Sequence, residues 1–192
     1  MSRTRLTRPE RTALTRRELL EAAERRFYRD GYHGTSLEAV AEEAGYTKGA
    51  VYSAFESKAH LFLALLDAII DRRLQEVATL FDQHPLGPSR RDALAAAPVQ
   101  PSNQQWLLVA IEFRVHSARQ PDLLDQLAAR YRRLRAGLAK LAVRETPLGP
   151  DRWAVVTLAL ANGLALERLI DPAGVPPDLM ASAQALLYPP RP

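Results

Sequence analysis

The chain has 192 residues, with 47% hydrophobic and 25% charged side chains, a balance that is ordinary for a soluble globular protein. It contains no cysteine, which excludes disulfides, thiol catalysis and thiolate metal sites. The formal net charge is only +4 while the sequence pI is about 9.7, so the placement of the charges matters more than their sum.

The N-terminal segment is basic, because six arginines and a single acid, Glu10, occur in the first 17 residues. We predict that residues 1–14 form a flexible arm that contacts DNA phosphates or the minor groove, and that Arg16 joins this contact. A solubilising tail is the alternative. No apolar segment follows these arginines, so we expect no secretory signal. We also expect no run of about 18 apolar residues that would span a bilayer, and hence a cytoplasmic protein with no membrane partner.

The first helix is predicted from Thr15 to Asp30. Thr15 and Glu18 have the spacing of a capping box, and Gly31 is expected to end the helix. Apolar residues fall on one stripe of this helix, namely Leu19, Leu20, Ala23 and Phe27. We expect a small core in which Phe27 and Tyr32 pack against Val40, Ala41, Val51 and Phe55.

Two short helices joined by a tight turn are predicted next. Thr35, with Glu38 three residues later, is predicted to cap the first of them. Gly45 supplies the left-handed residue of the turn, and Thr47 caps the second helix. Small and polar side chains fill the first turns of this second helix, whereas its inward face carries Val51 and Phe55.

The composition of this second helix predicts insertion into a DNA major groove. A recognition helix contacts base edges with its N-terminal residues, and small side chains allow it to approach closely. Lys48 can reach a guanine edge or a phosphate. Hydroxyl and ammonium donors suited to phosphate oxygens are Thr47, Tyr52, Ser53 and Lys58. The spacing alone is equally compatible with a solvated helical hairpin.

A set of motif positions then follows in order and without gaps: Gly31-Tyr32, Gly34-Thr35-Ser36-Leu37, Ala41, Ala44-Gly45, Lys48-Gly49-Ala50, Val51-Tyr52, Phe55 and Ser57-Lys58. On these residues the segment from Arg16 to Leu66 resembles the DNA-binding domain of TetR-type transcriptional regulators. The resemblance implies base-facing positions at Thr47, Lys48, Gly49, Ala50 and Ser53, and phosphate-gripping positions at Thr35, Ser36, Tyr52 and Lys58. Two residues depart from the family pattern: Ala54 lacks the aromatic or histidine side chain that often adds a phosphate contact, and Arg26 replaces an apolar residue, which predicts greater exposure there.

A long helix is predicted from Lys58 to Gln83, because no proline or glycine interrupts this segment and apolar residues recur at three- and four-residue steps. It would span roughly 39 Å at about 1.5 Å per residue, and a kink near Asp67 is the alternative. Breakers from Pro85 to Pro101 predict a loop with one short helix over 89–97.

The remaining helices are predicted from Ser102 to Arg119, from Pro121 to Val143, from Asp151 to Ile170 and, as a short last helix, after Pro177. The chain therefore reads as an all-α fold of about nine helices. We predict a three-helix helix-turn-helix DNA-binding domain over 15–57 and a helical ligand-binding and dimerisation domain over 58–192.

The helix that opens at Asp151 is apolar nearly all round, so it must be covered on two sides. This composition predicts self-association through a two-fold four-helix bundle, which is also how TetR-like regulators dimerise. The predicted dimer residues are Trp153, Val156, Leu160, Gly163, Leu179, Ala183 and Leu186. A central core helix of a monomer is the alternative.

A ligand cavity is predicted between the C-terminal helices, since pockets between helices are mostly apolar with a few polar groups. The predicted lining residues are Trp106, Glu112, Phe113, His116, Tyr131 and Asn162. In TetR-like proteins such a cavity usually admits a small hydrophobic or amphipathic inducer, so the resemblance implies one here. An ordinary core or rim position is the alternative for each polar residue.

No catalytic motif is found in the sequence. The four histidines, His33, His60, His84 and His116, lack zinc-motif spacing, and there is no phosphate loop or nucleophile elbow. We therefore predict that the protein is not an enzyme and uses no metal or cofactor.

These elements together predict a homodimeric repressor that a small-molecule ligand releases from a palindromic operator. Ligand binding would swing the long helix that starts at Lys58 and move the recognition helices out of register. The alternatives are a ligand-independent regulator or an activator of the same fold, and a helical adaptor whose exposed helix binds protein.

Overall fold

The computed structural model describes residues 7–84, 101–141, 148–176, 178–180 and 182–183. Within these ranges the chain is helical without strands, which confirms the all-α fold. The helices are α1 (Arg8–Gly34), α2 (Leu37–Glu43), α3 (Lys48–Ala54), α4 (Lys58–Gln83), α5 (Pro101–Ser117), α6 (Pro121–Leu141) and α7 (Pro150–Ile170). Leu179, Met180, Ser182 and Ala183 are helical where the short last helix was predicted. The predicted helix over 89–97 lies outside the described residues.

Helix α1 begins at Arg8, well before the predicted start. Its N-cap is Thr7, whose hydroxyl oxygen accepts from the Glu10 N–H at 3.4 Å, while the Thr7 N–H donates to Glu10 Oε2 at 2.7 Å. Pro9 is tolerated because the first turn needs no N–H from it. Thr7 and Glu10 therefore form the capping box that starts the helix.

The predicted flexible arm is wrong for residues 8–14, which are helical, whereas residues 1–6 lie outside the described ranges. The predicted cap residues Thr15 and Glu18 instead hold Tyr46 in the turn after α2. Thr15 Oγ1 donates to the Tyr46 hydroxyl at 3.3 Å, and that hydroxyl donates to Glu18. Thr15 and Glu18 thus anchor the turn after α2 rather than the start of α1.

Gly31 bends α1 instead of ending it. Its φ of 73° and ψ of 176° are non-helical, and the helix continues beyond it to Gly34. This conformation is essentially restricted to glycine. A Cβ atom on Gly31 would lie 2.8 Å from Glu112 Oε1, so the missing side chain also makes room for a carboxylate of α5.

Helix α2 is capped by Ser36, and the predicted capping box of Thr35 and Glu38 is wrong. Ser36 Oγ accepts from the Ala39 N–H at 3.1 Å. Thr35 is buried, and its hydroxyl donates to the Gly31 carbonyl at 2.8 Å. Both residue types are good caps, and the burial of Thr35 against α1 selects the later one.

The core beneath α2 and α3 has the predicted composition. Phe27, Tyr32, Val40, Ala41, Val51 and Phe55 all belong to one buried cluster. This cluster continues without a break into the C-terminal helices, because the Phe62 ring lies 5.3 Å from that of Phe27 and 4.1 Å from that of Phe113. Helices α1, α4 and α5 therefore share a single core.

Helix α4 has the predicted bounds and no internal break. Ser57 is its N-cap, with its hydroxyl oxygen accepting from the His60 N–H at 3.2 Å. In its first half, Asp67 accepts from Arg130 and Arg133 of α6. Arg130 is only 23% exposed, so this arginine of α6 contributes to helix packing rather than to a solvated face.

Helix α7 is apolar but mostly exposed. Val155 is 49% exposed, Leu166 36% and Ile170 75%. The helix is long and apolar enough, by length and composition, to cross a membrane, so the expectation that no such segment exists is wrong. A helix buried in a subunit interface has the same composition.

Replacing Gly31 by alanine should lower the free energy of unfolding by more than the ~1–3 kcal/mol expected for the backbone strain alone, because the Glu112 carboxylate must also move. Gly45→Ala is the control for a positive φ: Gly45 has the same φ of 73°, and nothing lies within 4 Å of the position that its Cβ would take. Urea unfolding followed by circular dichroism measures both. Equal losses for the two variants would show that the carboxylate does not constrain this position.

Candidate nucleic-acid interface

The α2–turn–α3 unit is held by short local hydrogen bonds. Gly45, with a φ of 73°, supplies the left-handed residue after α2. The Tyr46 N–H donates to the Ala41 carbonyl at 2.8 Å, which closes the turn. Thr47 Oγ1 then accepts from the Ala50 N–H at 3.3 Å and caps α3 as predicted. The orientation of α3 on α2 is therefore fixed by the backbone.

Helix α3 presents its predicted base-facing side chains on one surface. Thr47, Lys48, Gly49, Tyr52 and Ser53 are exposed, and Ala50 is half-buried. The opposite side of α3 is sealed, because Val51 and Phe55 are in the core. Among the described residues, no hydrogen bond or ion pair occupies the Lys48 ammonium. This surface combines an exposed cation with small neighbours, which is the chemistry of a helix that reads base edges.

Tyr52 is positioned by α2. Its hydroxyl donates to Glu38 Oε1 at 2.7 Å, and 52% of the residue remains exposed. This hydrogen bond raises the pKa of Tyr52 and lowers that of Glu38. Since a phenol has a single proton to donate, a phosphate contact by the Tyr52 hydroxyl requires that it leave Glu38.

Arg16 supports the far end of α3. Its Nη1 donates to the Ala54 carbonyl at 2.8 Å, and its guanidinium lies 4.3 Å from the centre of the Phe55 ring. A cation at a helix C-terminus satisfies a carbonyl that has no partner in the helix. Arg16 is exposed, so its remaining N–H groups are free to meet a phosphate.

Two residues predicted to contact phosphate, Thr35 and Lys58, are hydrogen-bonded within the protein instead. Thr35 is only 2% exposed. The Lys58 ammonium donates to the carbonyls of Tyr32 at 2.8 Å, His33 at 3.3 Å and Thr35 at 2.8 Å. Burial lowers the pKa of Lys58, and the nearby Glu112 carboxylate partly opposes this shift. Lys58 thus joins the start of α4 to the end of α1, which uses all three of its donors.

An ion-pair network on the side of α1 was not predicted from the sequence. Glu43 at the end of α2 accepts hydrogen bonds from Arg25 and Arg29, each at 3.0 Å. Arg26 Nε lies 2.6 Å from Glu43 Oε2, at ion-pair distance. Arg26 is 24% exposed and also pairs with Asp30, so its side chain lies against α2 rather than in open solvent. The positive charges of these three arginines are therefore partly balanced within the protein by the two carboxylates of Glu43 and Asp30.

A cavity of about 390 Å³ lies between α4, α5, α6 and α7. Its lining residues are mostly apolar, with a few polar groups: Leu66, Ile69, Ile70, Arg73, Val77, Trp106, Leu107, Ala110, Arg114, Tyr131, Leu134, Leu138, Thr157, Leu158, Ala161, Asn162 and Ala165. The structure thus brings together three of the six predicted ligand residues, Trp106, Tyr131 and Asn162. Arg73, Arg114 and Thr157 are polar lining residues that the sequence did not single out.

The other three predicted ligand residues face α1 instead. Glu112 Oε2 accepts from the His33 N–H at 3.1 Å. Phe113 is fully buried in the core, and the His116 ring lies 5.9 Å from that of His33. Burial lowers the pKa of His116, and the positive charges of His33 and Lys58 add to this effect. Helix α5 is apolar on both sides, so its sequence periodicity did not indicate which side opens into the cavity.

The predicted dimer residues divide into three groups. Gly163 and Leu179 are exposed, while Val156, Leu160 and Ala183 are half-buried. Trp153 is only 6% exposed within this single chain, so its side chain is covered without a partner subunit. Leu186 lies outside the described residues. The exposed stripe of α7 consists of residues three or four apart, namely Val155, Ala159, Gly163, Leu166 and Ile170.

Among the residues that the structure describes, no group of three or more metal-binding side chains is found. The candidate sites are thus an exposed helix-turn-helix surface and an interhelical cavity.

Two family models match the chain. Residues 19–65 match the model of bacterial regulatory proteins of the TetR family, and residues 90–186 match the C-terminal model of BetI-type transcriptional repressors. The chain belongs to the TetR family of bacterial transcriptional regulators.

Individual relatives agree with this family. The HTH-type transcriptional regulator TtgR of Pseudomonas putida is 51% identical over 55 residues, which cover 29% of this chain and 26% of that protein. The transcriptional repressor AcnR of Corynebacterium diphtheriae is 29% identical over 140 residues, which cover 73% of this chain and 70% of the repressor.

The fold is also that of solved structures. A putative transcriptional regulator from Saccharomonospora viridis, solved in complex with choline, has a TM-score of 0.69 at 20% identity, covering 92% of this chain and 97% of that chain. At this identity the likeness shows the fold alone.

Lys58→Met should lower the free energy of unfolding by about 1–3 kcal/mol, because three carbonyl groups lose a charged donor. Lys48→Met is the matched control and should change stability by less than about 0.5 kcal/mol, since Lys48 is exposed. Urea unfolding measures the stability, and DNA affinity at several salt concentrations measures the phosphate contacts. If Lys58→Met instead lost DNA affinity, with a flatter salt dependence and unchanged stability, Lys58 would be a phosphate contact as predicted from the sequence.

Proposed function

We propose that the protein is a homodimeric transcriptional repressor that binds a palindromic operator through α3 and is released by a small-molecule ligand. The observation that carries the proposal is the exposed surface of α3, which combines Lys48 with small neighbours on a rigidly capped helix-turn-helix. This protein would act on DNA in the cytoplasm.

The proposed base-reading residues are those of the exposed α3 surface: Thr47, Lys48, Gly49, Ala50 and Ser53. Gly49 and Ala50 add no bulk, so the helix axis can approach the floor of the major groove. Ser36 and Tyr52 flank this surface on the side of α2 and are proposed to bind phosphates, with Arg16 at the opposite end of α3. Thr35 and Lys58 are left out of the proposed interface because their polar atoms are already bonded within the fold.

The exposed stripe of α7 supports a dimer. Ala159 and Gly163 are small residues at its centre, and they allow a second helix to pack closely. Large apolar side chains flank them, including Ile170 at 75% exposure. Pairing α7 with its copy, together with the short last helix, would form a two-fold four-helix interface. A dimer of this kind would need to hold two recognition helices about 34–36 Å apart to reach successive major grooves.

Two helices provide a path from the cavity to the DNA-binding unit. Leu66 and Ile70 of α4 line the cavity, and the same helix begins at Lys58 against α1. Trp106 of α5 also lines the cavity, and its ring stacks on Phe62 at 5.3 Å and meets the Tyr28 ring of α1 at 6.2 Å. A ligand that prefers one arrangement of these helices shifts the population by its difference in affinity, and about 1.4 kcal/mol gives a tenfold change.

Lys48→Ala should weaken binding to the preferred operator by about 1–3 kcal/mol and relax its base preference at one position of each half-site. Selection of bound fragments from random DNA identifies the operator and its symmetry, and fluorescence anisotropy then measures affinity for base-substituted variants. Lys140→Ala, which removes the same charge from an exposed site of α6, is the control and should leave the preference unchanged. If Lys48→Ala kept the base preference of the wild type, Lys48 would not read a base. If the wild-type protein selected no DNA from the random pool, a protein-binding adaptor would be favoured.

Leu166→Glu should convert the dimer to a monomer, because a carboxylate would be buried within the apolar interface, next to its centre at Gly163. Leu124→Glu is the control, since Leu124 is 42% exposed on α6 and lies outside the α7 stripe. Size-exclusion chromatography with light scattering measures both masses. A dimeric Leu166→Glu variant would place the interface elsewhere, and a monomeric wild type would remove the dimer from the proposal.

A further inference from the structure

We propose that the cavity between α4, α5, α6 and α7 selects an amphipathic anion, with a carboxylate head group bound by Arg114 and an apolar body in the rest of the cavity. This inference rests on the proposed function, because it assigns a chemical class to the ligand of that site. It concerns the charge of the ligand, which neither the family nor the relatives fix for this chain.

The described lining of the cavity carries positive charge without negative charge. Arg73 and Arg114 line it, and none of the described lining residues is an aspartate or a glutamate. The other polar groups, Tyr131, Thr157 and Asn162, are neutral hydrogen-bonding side chains. In a mostly apolar enclosure an uncompensated cation attracts an anion more strongly than it would in water.

The two arginines are not equivalent. Arg73 is 43% exposed and its Nη1 lies 3.0 Å from Glu76 Oε2, so its charge is already paired on the outer side of α4. Arg114 is half-buried, and no carboxylate of the described residues lies within ion-pair distance of it. The positive charge available to a ligand is therefore that of Arg114.

The hydrogen bonds of Arg114 leave part of its guanidinium open. Its Nε donates to the Tyr131 hydroxyl at 3.0 Å, and Nη2 donates to the same oxygen. The guanidinium carbon lies 4.9 Å from the centre of the Tyr131 ring, so the side chain is held in one orientation. A guanidinium has five N–H donors in a planar fork, and a carboxylate is the acceptor that matches two of them at once.

Besides Arg114, the cavity contains a second polar group that could bind the ligand head group, the hydroxyl of Thr157. The hydroxyl oxygen of Thr157 is buried and has no hydrogen-bond partner among the described residues. A buried hydroxyl without a partner is costly, and a ligand oxygen would satisfy it. Thr157 and Arg114 line the same cavity from α7 and α5, so both are donors available to a bound head group.

The remaining surface of the cavity suits a hydrocarbon body. Leu66, Ile69 and Leu134 are among its apolar lining residues, and α4 contributes several of them from its long apolar face. A quaternary ammonium such as choline requires an aromatic cage or a carboxylate partner. Trp106 and Tyr131 supply two rings, but the Tyr131 ring already faces the Arg114 guanidinium, which would repel a second cation.

The charge of the ligand is tested with a series of matched chain length. Decanoate, 1-decanol and decyltrimethylammonium, together with choline, are titrated into the full-length protein by calorimetry. We expect decanoate to bind at least about tenfold more tightly than 1-decanol, since a charge-assisted hydrogen bond contributes about one order of magnitude or more. The inference would be overturned if 1-decanol or either ammonium compound bound as tightly as decanoate or more tightly. It would also be overturned if none of the four ligands bound.

The assignment to Arg114 is tested with Arg114→Gln. We expect a loss of decanoate affinity of about tenfold to a hundredfold, with little change for 1-decanol, and an intermediate loss for Arg114→Lys. Arg119→Gln is the matched control, because Arg119 is exposed just beyond the end of α5 and does not line the cavity. Equal decanoate affinity in Arg114→Gln and Arg119→Gln would overturn the assignment. If Arg114→Gln does not fold, the wild-type ligand series still decides the sign of the charge.

The outcome is separable from that of the proposed function. Tight 1-decanol binding in the cavity, with a change in operator affinity, would preserve a ligand-released repressor and refute its anionic ligand. Operator binding that no cavity ligand alters would refute ligand release. Decanoate binding that depends on Arg114 but leaves operator affinity unchanged would support the anion site and refute its regulatory role.

Discussion

The carboxylate of Glu112 connects the two functional regions of the chain at the bend of α1. It accepts from the His33 N–H at 3.1 Å and fills the space left by the missing side chain of Gly31. The Lys58 ammonium bonds carbonyls of the same short segment, including that of Tyr32 at 2.8 Å. The end of α1 is therefore fixed by charged groups from α4 and α5. Both helices also line the cavity, so in the proposed mechanism a change in their packing would shift the segment that leads into α2.

The continuous core also supports the proposed communication between the cavity and the DNA-binding unit. Phe62 contacts Phe27 on the side of the DNA-binding unit and Trp106 on the side of the cavity, with ring centres 5.3 Å apart in both cases. Close-packed side chains move in discrete rearrangements rather than by gradual deformation. The division into 15–57 and 58–192 stays a prediction about roles, whereas the packing of α1, α4 and α5 is shared.

Electrostatics at the proposed DNA surface depend on few residues. Arg25, Arg26 and Arg29 are paired with Glu43, and Arg26 and Arg29 also with Asp30, so this network joins α2 to α1 and balances part of its own positive charge. Lys48 and Arg16 remain exposed on either end of α3. Within the part of this surface that the structure describes, free cations are few, so binding there relies more on precise placement and less on general attraction to the phosphate backbone. The rigid capping of α3 supplies that placement.

The sequence by itself determined the all-α fold, the turn at Gly45, the cap at Thr47 and the bounds of α4, because each depends on local spacing of caps, breakers and apolar residues. It did not decide between alternatives that were locally equivalent. Caps were predicted at Thr15 and Thr35, but Thr15 bonds Tyr46 and Thr35 is buried and bonds Gly31. The observed caps are Thr7 and Ser36. The role of Lys58, the side of α5 that opens into the cavity and the pairing of Arg114 with Tyr131 were likewise decided only by the tertiary structure. Helical periodicity shows which residues share a face, whereas the neighbour that a face meets depends on residues far away in the chain.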